Sequence, residues 1–134
     1  MRGNFTGDVI EKTLEGLAQR FQATSQNIAN MNTRKYARRE VLFEDELREV
    51  VNGPSQLPLR TTDPNHISNV ATDPNAIRPR TRLVDHEPYR LDQNNVDPEA
   101  ETARLAQTRM LYAAMAQRMG GKFKALRRSI GGGQ

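Results

Sequence analysis

The chain contains no cysteine and no tryptophan, and aromatic residues make up only 5% of its 134 positions. The missing cysteine excludes disulfide bonds and thiolate metal sites. Hydrophobic residues amount to 36% and charged residues to 27%, which is a lean supply for one self-contained core. A chain of this composition either stays partly disordered or completes its core with other chains.

Long apolar runs are missing too. No segment approaches the roughly 20 consecutive apolar residues that a membrane-spanning helix requires, so we expect no membrane span. The first residues, MRGNFTGDVIEKTLEGL, lack the apolar stretch of a signal peptide. If the protein leaves the cytoplasm, we expect it to do so without a cleaved signal.

Recognisable catalytic and cofactor motifs are also absent. The sequence has neither a nucleophile elbow nor a glycine-rich phosphate loop. His66 and His86 have acidic neighbours, but their spacing matches no metal motif, and surface loop histidines are the simpler interpretation. Three consecutive acidic residues at 44–46 face different directions on a helix and suit a helix start better than a catalytic pair. We therefore expect no catalytic residue, no cofactor and no metal.

What the chain does contain begins with an amphipathic helical pattern over residues 8–31. Its apolar positions repeat at alternating spacings of four and three, with Thr24 filling one gap, which is a coiled-coil pattern. The apolar positions are Ile10, Leu14, Leu17, Phe21, Ile28 and Met31. A seam one residue wide is too narrow for a globular core helix. The pattern therefore predicts half of a coiled coil that needs a partner helix.

Residues 36–43 alternate in direction and predict an extended arm or short strand. A short helix is predicted over residues 44–51, because acidic residues fill its first turn and Gly53-Pro54 ends it.

The middle of the chain is rich in proline. Six of the seven prolines lie within residues 52–95, where no helical period survives. Two near-copies, TDPNHI at residues 62–67 and TDPNAI at residues 72–77, predict two similar turns. The remainder is predicted as loop, with a weak hairpin between residues 80–84 and 88–91. The chain then divides into residues 1–51, a loop region at 52–95 and a helical segment at 96–134, together forming a single discontinuous domain.

The last helix has the clearest signals. Asp97 suits a helix cap and Pro98 the first helical position, and the pattern continues to about Ile130. Its apolar seam consists of Leu105, Tyr112, Met115, Met119, Phe123, Leu126 and Ile130. At 1.5 Å per residue this helix would be about 50 Å long and the first about 36 Å. Two long helices with one seam each are expected to pair, which predicts a mainly α fold.

Positive charge is concentrated at the end of the chain. The net charge is +4, and from Glu101 onward seven basic residues accompany one acidic residue. The stretches RKYARR and GKFKALRR mix basic and aromatic residues, as some nucleic-acid-binding segments do. No known binding-module pattern accompanies them, and Phe123 already belongs to the seam. A basic helical nucleic-acid-binding protein therefore remains the alternative to a structural subunit.

The stretch NIANMNTRKYARREVLFEDEL at residues 27–47 resembles the N-terminal signature of the bacterial flagellar axial proteins, the rod and hook subunits. The positions that fit this signature are Ala29, Asn30, Thr33 and Tyr36. Arg34 and Lys35 stand where that family usually has Pro-Gly. The stretches LPLRTTDPNHI and DQNNVDPEAETARLAQTRMLYAAMAQRMGGKFKALRRSI are similar to the proximal rod members of the family.

This resemblance implies a structural, non-enzymatic subunit of the proximal rod in the flagellar basal body. Such subunits are exported unfolded through the flagellar type III apparatus, without a cleaved signal, and assemble helically into a hollow rod that crosses the periplasm. The implied partners are copies of the chain itself, other rod and basal-body proteins and the export apparatus, with no nucleic acid. The two seams would pack together and against neighbours.

The resemblance also suggests roles for the signature itself. The arm at residues 34–43 would reach another subunit, with Tyr36 as its anchor. The amide-rich stretch at residues 26–32 would end the helix by satisfying its last carbonyl groups.

Overall fold

A computed structural model of the chain describes residues 5–52, 73–84, 91 and 93–131. Within these residues the helices are α1 Phe5–Ala29, α2 Glu44–Asn52 and α3 Pro98–Gly131, and the strands are β1 Arg38–Leu42 and β2 Arg80–Val84. A 3-10 turn covers Pro74–Ala76. Long helices at both ends of a mainly helical chain confirm the predicted fold class. None of the described helices is long and apolar enough to cross a lipid bilayer.

The helix boundaries follow from local chemistry. The Asp97 carboxylate accepts hydrogen bonds from the backbone N–H groups of Glu99 at 3.0 Å and Ala100 at 3.3 Å, which confirms the predicted cap of α3. Asp73 accepts one from the Asn75 N–H at 2.9 Å, so the second Asp-Pro-Asn copy forms the predicted turn. The first copy lies outside the described residues.

The two end helices pack against each other, as their seams predict. Asn27, near the end of α1, is hydrogen-bonded to Glu101, near the start of α3, so the helices run antiparallel. Phe5 lies as many residues before Asn27 as Phe123 lies after Glu101. The described part of α1 therefore begins at about the level of Phe123. The last two turns of α3 therefore extend beyond the described part of α1, by about 12 Å.

The strands form a two-stranded antiparallel ribbon. Arg38 pairs with Val84 at one end and Leu42 with Arg80 at the other. The partner segment of the hairpin predicted between residues 80–84 and 88–91 lies largely outside the described residues, which leave out 85–90, whereas β2 pairs with β1. A local hairpin is marginal by itself, whereas β1 is already held against α1 and offers β2 a fixed edge.

The small core lies where α1, β1, α2 and α3 meet. Leu17 and Ala23 of α1 pack with Val41 of β1 and with Phe43, and Leu47 of α2 and Met115 of α3 close the cluster. The segment after α1 therefore does not project away from the chain. β1 confirms the short strand predicted within residues 36–43, and burying Val41 and Phe43 against α1 holds it in place. Its contact with another subunit stays a prediction.

Candidate functional site

A buried asparagine joins α1 to β1. Asn27 is fully buried in the last turns of α1. Its Nδ2 donates to the Arg39 carbonyl at 2.8 Å, and its Oδ1 accepts from the Arg39 N–H at 2.8 Å. The side-chain amide thus pairs with the backbone of one strand residue as a neighbouring strand would. This contact fixes β1 along α1.

The same asparagine also joins α1 to α3. Its Nδ2 donates to Glu101 at 2.9 Å, and its Oδ1 accepts from the Tyr36 hydroxyl at 3.2 Å. All four hydrogen-bonding positions of the Asn27 amide are therefore used. In these contacts the Asn27 side chain holds both the turn after α1 and the start of α3.

Glu101 is a buried carboxylate, with only 1% of its surface exposed. Its second oxygen accepts from Arg104, one turn further along α3, and lies 3.5 Å from the Arg38 guanidinium of β1. Two cations and one amide compensate its charge, as a buried ion requires. Among the described residues, no buried side-chain nitrogen or oxygen lacks a hydrogen-bond partner.

The Tyr36 phenol stays protonated in this setting. Burial raises its pKa, the nearby Arg39 lowers it, and the Glu101 carboxylate raises it again, with a net increase over the ordinary value. A protonated hydroxyl is the form that donates to Asn27. Tyr36 is therefore anchored to Asn27 within its own chain.

Two further asparagines, just before α3, complete the junction. The Asn94 Nδ2 lies 2.8–3.2 Å from the carbonyl oxygens of Asn30, Met31 and Thr33, which follow the end of α1. Asn95 accepts from the Arg38 N–H at 2.7 Å and donates to the Val84 carbonyl, so it bridges the two strands. The NNV stretch before α3 therefore clamps both the end of α1 and the ribbon.

The signature residues lie at the end of α1 and in the turn that connects it to β1. Ala29 is the exposed last residue of α1, and the Asn30 Nδ2 donates to the Gln26 carbonyl at 2.9 Å. This bond gives a second donor to a carbonyl group in the last turn of α1 that already accepts the Asn30 N–H, so the predicted role of the amide-rich stretch holds for one carbonyl. The Thr33 hydroxyl donates to the Asn30 Oδ1 at 3.2 Å. These contacts fold the segment back onto the helix end.

The turn after Thr33 forms although it contains no glycine. The Tyr36 N–H donates to the Thr33 carbonyl at 3.3 Å, which closes a four-residue turn. Lys35 has a φ of 58°, in the left-handed region that favours glycine. Lys35 therefore adopts, at some energetic cost, a conformation that the glycine of a Pro-Gly turn would adopt freely.

The ribbon is also anchored through Phe43. Its ring is 3% exposed and lies directly against Gly16 of α1, and the Arg20 guanidinium stacks 4.9 Å from its centre. Arg20 also donates to the Val41 carbonyl at 3.1 Å and to Glu44 at 2.6 Å. These contacts connect α1, β1 and the start of α2.

The seam residues divide between covered and uncovered positions. Those that are buried or half-buried are Ile10, Leu14, Leu17, Ile28, Leu105, Met115 and Met119. Those that remain exposed are Phe21, Tyr112, Phe123 and Leu126, together with Ile130. Phe21 and Tyr112 line one groove between the helices, whereas Leu126 and Ile130 lie on the part of α3 beyond α1. The α3 seam is therefore longer than the surface that α1 covers.

Sequence reasoning missed the residues that hold the junction: Asn27, Asn94 and Glu101. Asn27 lies beside the predicted seam residue Ile28 and was included only in an amide-rich stretch. Glu101 lies in the first turn after the Asp97 cap, where the helix dipole alone accounts for an acidic residue. A signal was available for Glu101, because it stands four residues before Leu105, where an apolar residue would extend the α3 seam.

This junction positions chain segments and carries no evident chemistry. Within residues 5–52, 73–84, 91 and 93–131, no three His, Asp or Glu side chains are grouped as metal ligands. His66 and His86 lie outside those residues.

Comparison with known proteins points to one group. No protein-family model matches the chain. It is 30% identical over 132 residues to the flagellar basal body rod protein FlgB of Bacillus subtilis, covering 97% of this chain and 98% of that protein. It is 28% identical to FlgB of Escherichia coli over 120 residues (87% and 86% of the two chains) and to FlgB of Borreliella burgdorferi over 123 residues (89% and 90%). These relatives give no support to the nucleic-acid-binding alternative.

Proposed function

Because the chain belongs to the FlgB family of flagellar basal body rod proteins, we propose that it is a structural, non-enzymatic subunit that assembles helically into the proximal rod, the hollow drive shaft of the flagellum. Its partners are further copies of itself and other rod and basal-body proteins. It reaches the periplasmic part of the basal body through the flagellar type III apparatus, as an unfolded chain without a cleaved signal.

The observation that carries the assembly proposal is the uncovered seam of α3. Phe123 is 61% exposed although it occupies a seam position, and Leu126 and Ile130 continue the same face beyond α1. Large apolar side chains that line one face of a helix are typical of a surface that another chain covers. Neighbouring subunits in a rod would provide that cover.

Two substitutions on opposite faces of α3 test the proposal. Phe123→Asp places a charge on the uncovered seam. Met110→Asp places one on the other side, because Met110 lies nine residues, or two and a half turns, from the seam residue Met119. Both side chains are well exposed, at 61% and 68%, so neither change should alter the helix content of the purified chain.

The readouts are motility and the amounts of secreted and rod-bound protein. We expect Phe123→Asp to abolish motility and rod incorporation while export continues, and Met110→Asp to behave as the unmodified chain. Normal rods containing the Phe123→Asp protein would refute the assembly role of the α3 seam.

A further inference from the structure

The apolar seam between α1 and α3 leaves the axial alignment of the two helices underdetermined. On α3 it repeats every seven residues, at Leu105, Tyr112 and Met119. Sliding α3 by seven residues presents the next member of this set to the same position on α1. Apolar contact alone therefore discriminates poorly between alignments that differ by one heptad.

The contact between Asn27 and Glu101 does not repeat. Seven residues before Asn27 stands Arg20, and seven residues after Glu101 stands Thr108. A slip in one direction would place Asn27 opposite Thr108, and a slip in the other would place Glu101 opposite Arg20. In neither alignment does the Asn27 amide meet a carboxylate, so the buried pair exists in one alignment alone.

The ribbon strengthens this selection. Arg38 of β1 lies 3.5 Å from the Glu101 carboxylate, and the backbone of Arg39 is paired with the Asn27 amide. A slip of α3 would therefore withdraw Glu101 from two elements together. The cost would fall on a carboxylate and an amide that are almost fully buried.

We infer that the Asn27–Glu101 pair is a register lock, whose role is to select one axial alignment of α3 on α1 and β1. Single buried polar contacts in coiled coils can have this role, at the expense of stability. An apolar pair at these positions should keep the helices paired but allow slipped alignments. The inference concerns the fold of the single chain and does not depend on rod assembly.

Disulfide trapping can measure the alignment because the chain has no cysteine of its own. Ala18→Cys with Tyr112→Cys reports the observed alignment, since both residues line the same groove between α1 and α3. Ala18→Cys with Leu105→Cys, or with Met119→Cys, reports a slip of seven residues in either direction. The rate of disulfide formation in the purified full-length chain is measured for each pair under the same mild oxidant.

With the natural lock, we expect the 18–112 disulfide to form faster than either slipped disulfide by about tenfold or more. In the Asn27→Leu, Glu101→Leu background, we expect that ratio to fall to about threefold or less, with helix content by circular dichroism unchanged. The matched control is Thr108→Val. It removes another buried polar group of α3, but the Thr108 hydroxyl bonds the Arg104 carbonyl of its own helix at 2.8 Å, so the ratio should stay at its original value.

Three results would overturn the inference. The first is an unchanged preference for the 18–112 disulfide in the Leu-Leu background. The second is loss of helix in that background, which would show that the pair is needed for pairing itself and not for its alignment. The third is an equal loss of preference in Thr108→Val, which would make the effect a general result of altering the seam.

Discussion

Replacing Gly16 with alanine should destabilise the junction between α1 and the ribbon, although alanine is the better helix former. A Cβ atom built on Gly16 would lie 2.6–2.7 Å from three carbon atoms of the Phe43 ring. The ring cannot move aside easily, because it is buried and the Arg20 guanidinium stacks on it. The neighbouring strand is also held, by the Arg20 contact with the Val41 carbonyl.

Two opposing effects determine the magnitude. Forcing a methyl group into a filled site of this kind costs about 3 kcal/mol. Replacing glycine within a helix returns about 1 kcal/mol. The net loss in the free energy of unfolding is then about 2 kcal/mol, which in a chain of this size lowers Tm by about 8 °C.

The assay is thermal unfolding of the purified chain followed by circular dichroism, with Gly120→Ala as the control. Gly120 also lies inside a helix, but a Cβ atom there would meet nothing within 4 Å. Only the helix-propensity term applies, so Gly120→Ala should raise the free energy of unfolding by about 1 kcal/mol. A Tm for Gly16→Ala equal to or above that of the unmodified chain would refute the close packing of α1 on Phe43.

Four further substitutions test other parts of the structure. Lys35→Gly should raise the free energy of unfolding by about 1 kcal/mol, because Lys35 has a positive φ, and a lower denaturation midpoint would contradict this. The Arg82 hydrogen bond lowers the folded pKa of Glu40 below its ordinary 4.5, so the stabilisation is complete above that pH and is lost as the pH falls through the folded pKa. Glu40→Gln should therefore reduce stability at neutral pH, by less than about 1 kcal/mol at this partly exposed site, and the difference from the unmodified chain should vanish in acid; a difference independent of pH would argue against the ion pair. Leu17→Asp and Met119→Asp should each prevent rod incorporation without reducing secretion, because an unpaired carboxylate in the seam costs several kcal/mol, and normal assembly of both would count against the paired helices.

Elements whose signals are local could be predicted from the sequence. The seam of α1 follows from the spacing of its apolar residues, and the start of α3 follows from Asp97 and Pro98. Both signals lie within a few turns of the structure that they specify. The short helix α2, directly after β1, was predictable for the same reason, since its acidic first turn and the Gly-Pro that follows it lie within a few residues.

The features that were missed depend on distant partners. β2 pairs with β1, which lies about 40 residues earlier in the sequence, and no local pattern in RTRLV indicates that partner. In the sequence Glu101 looks like an ordinary acidic residue in the first turn of a helix. It can be buried only because Asn27 and Arg38, which lie far away in sequence, contact its carboxylate. The buried charge and the residues that compensate it lie far apart in sequence. The spacing of apolar residues therefore reveals neither of them.

The distance between Asn27 and Glu101 along the chain, 74 positions, also affects when the protein can fold. Two residues so far apart in sequence come into contact only after the chain has lost the entropy of closing a long loop. α1 by itself has a narrow seam, and most of the stability of a helix in a protein comes from the tertiary packing of its apolar face. A chain truncated before Asp97 should therefore show little stable helix by circular dichroism. In a chain that emerges with its N-terminus first, folding would then wait for the last third of the sequence, and the preceding segments would stay extended enough to pass through a narrow conduit.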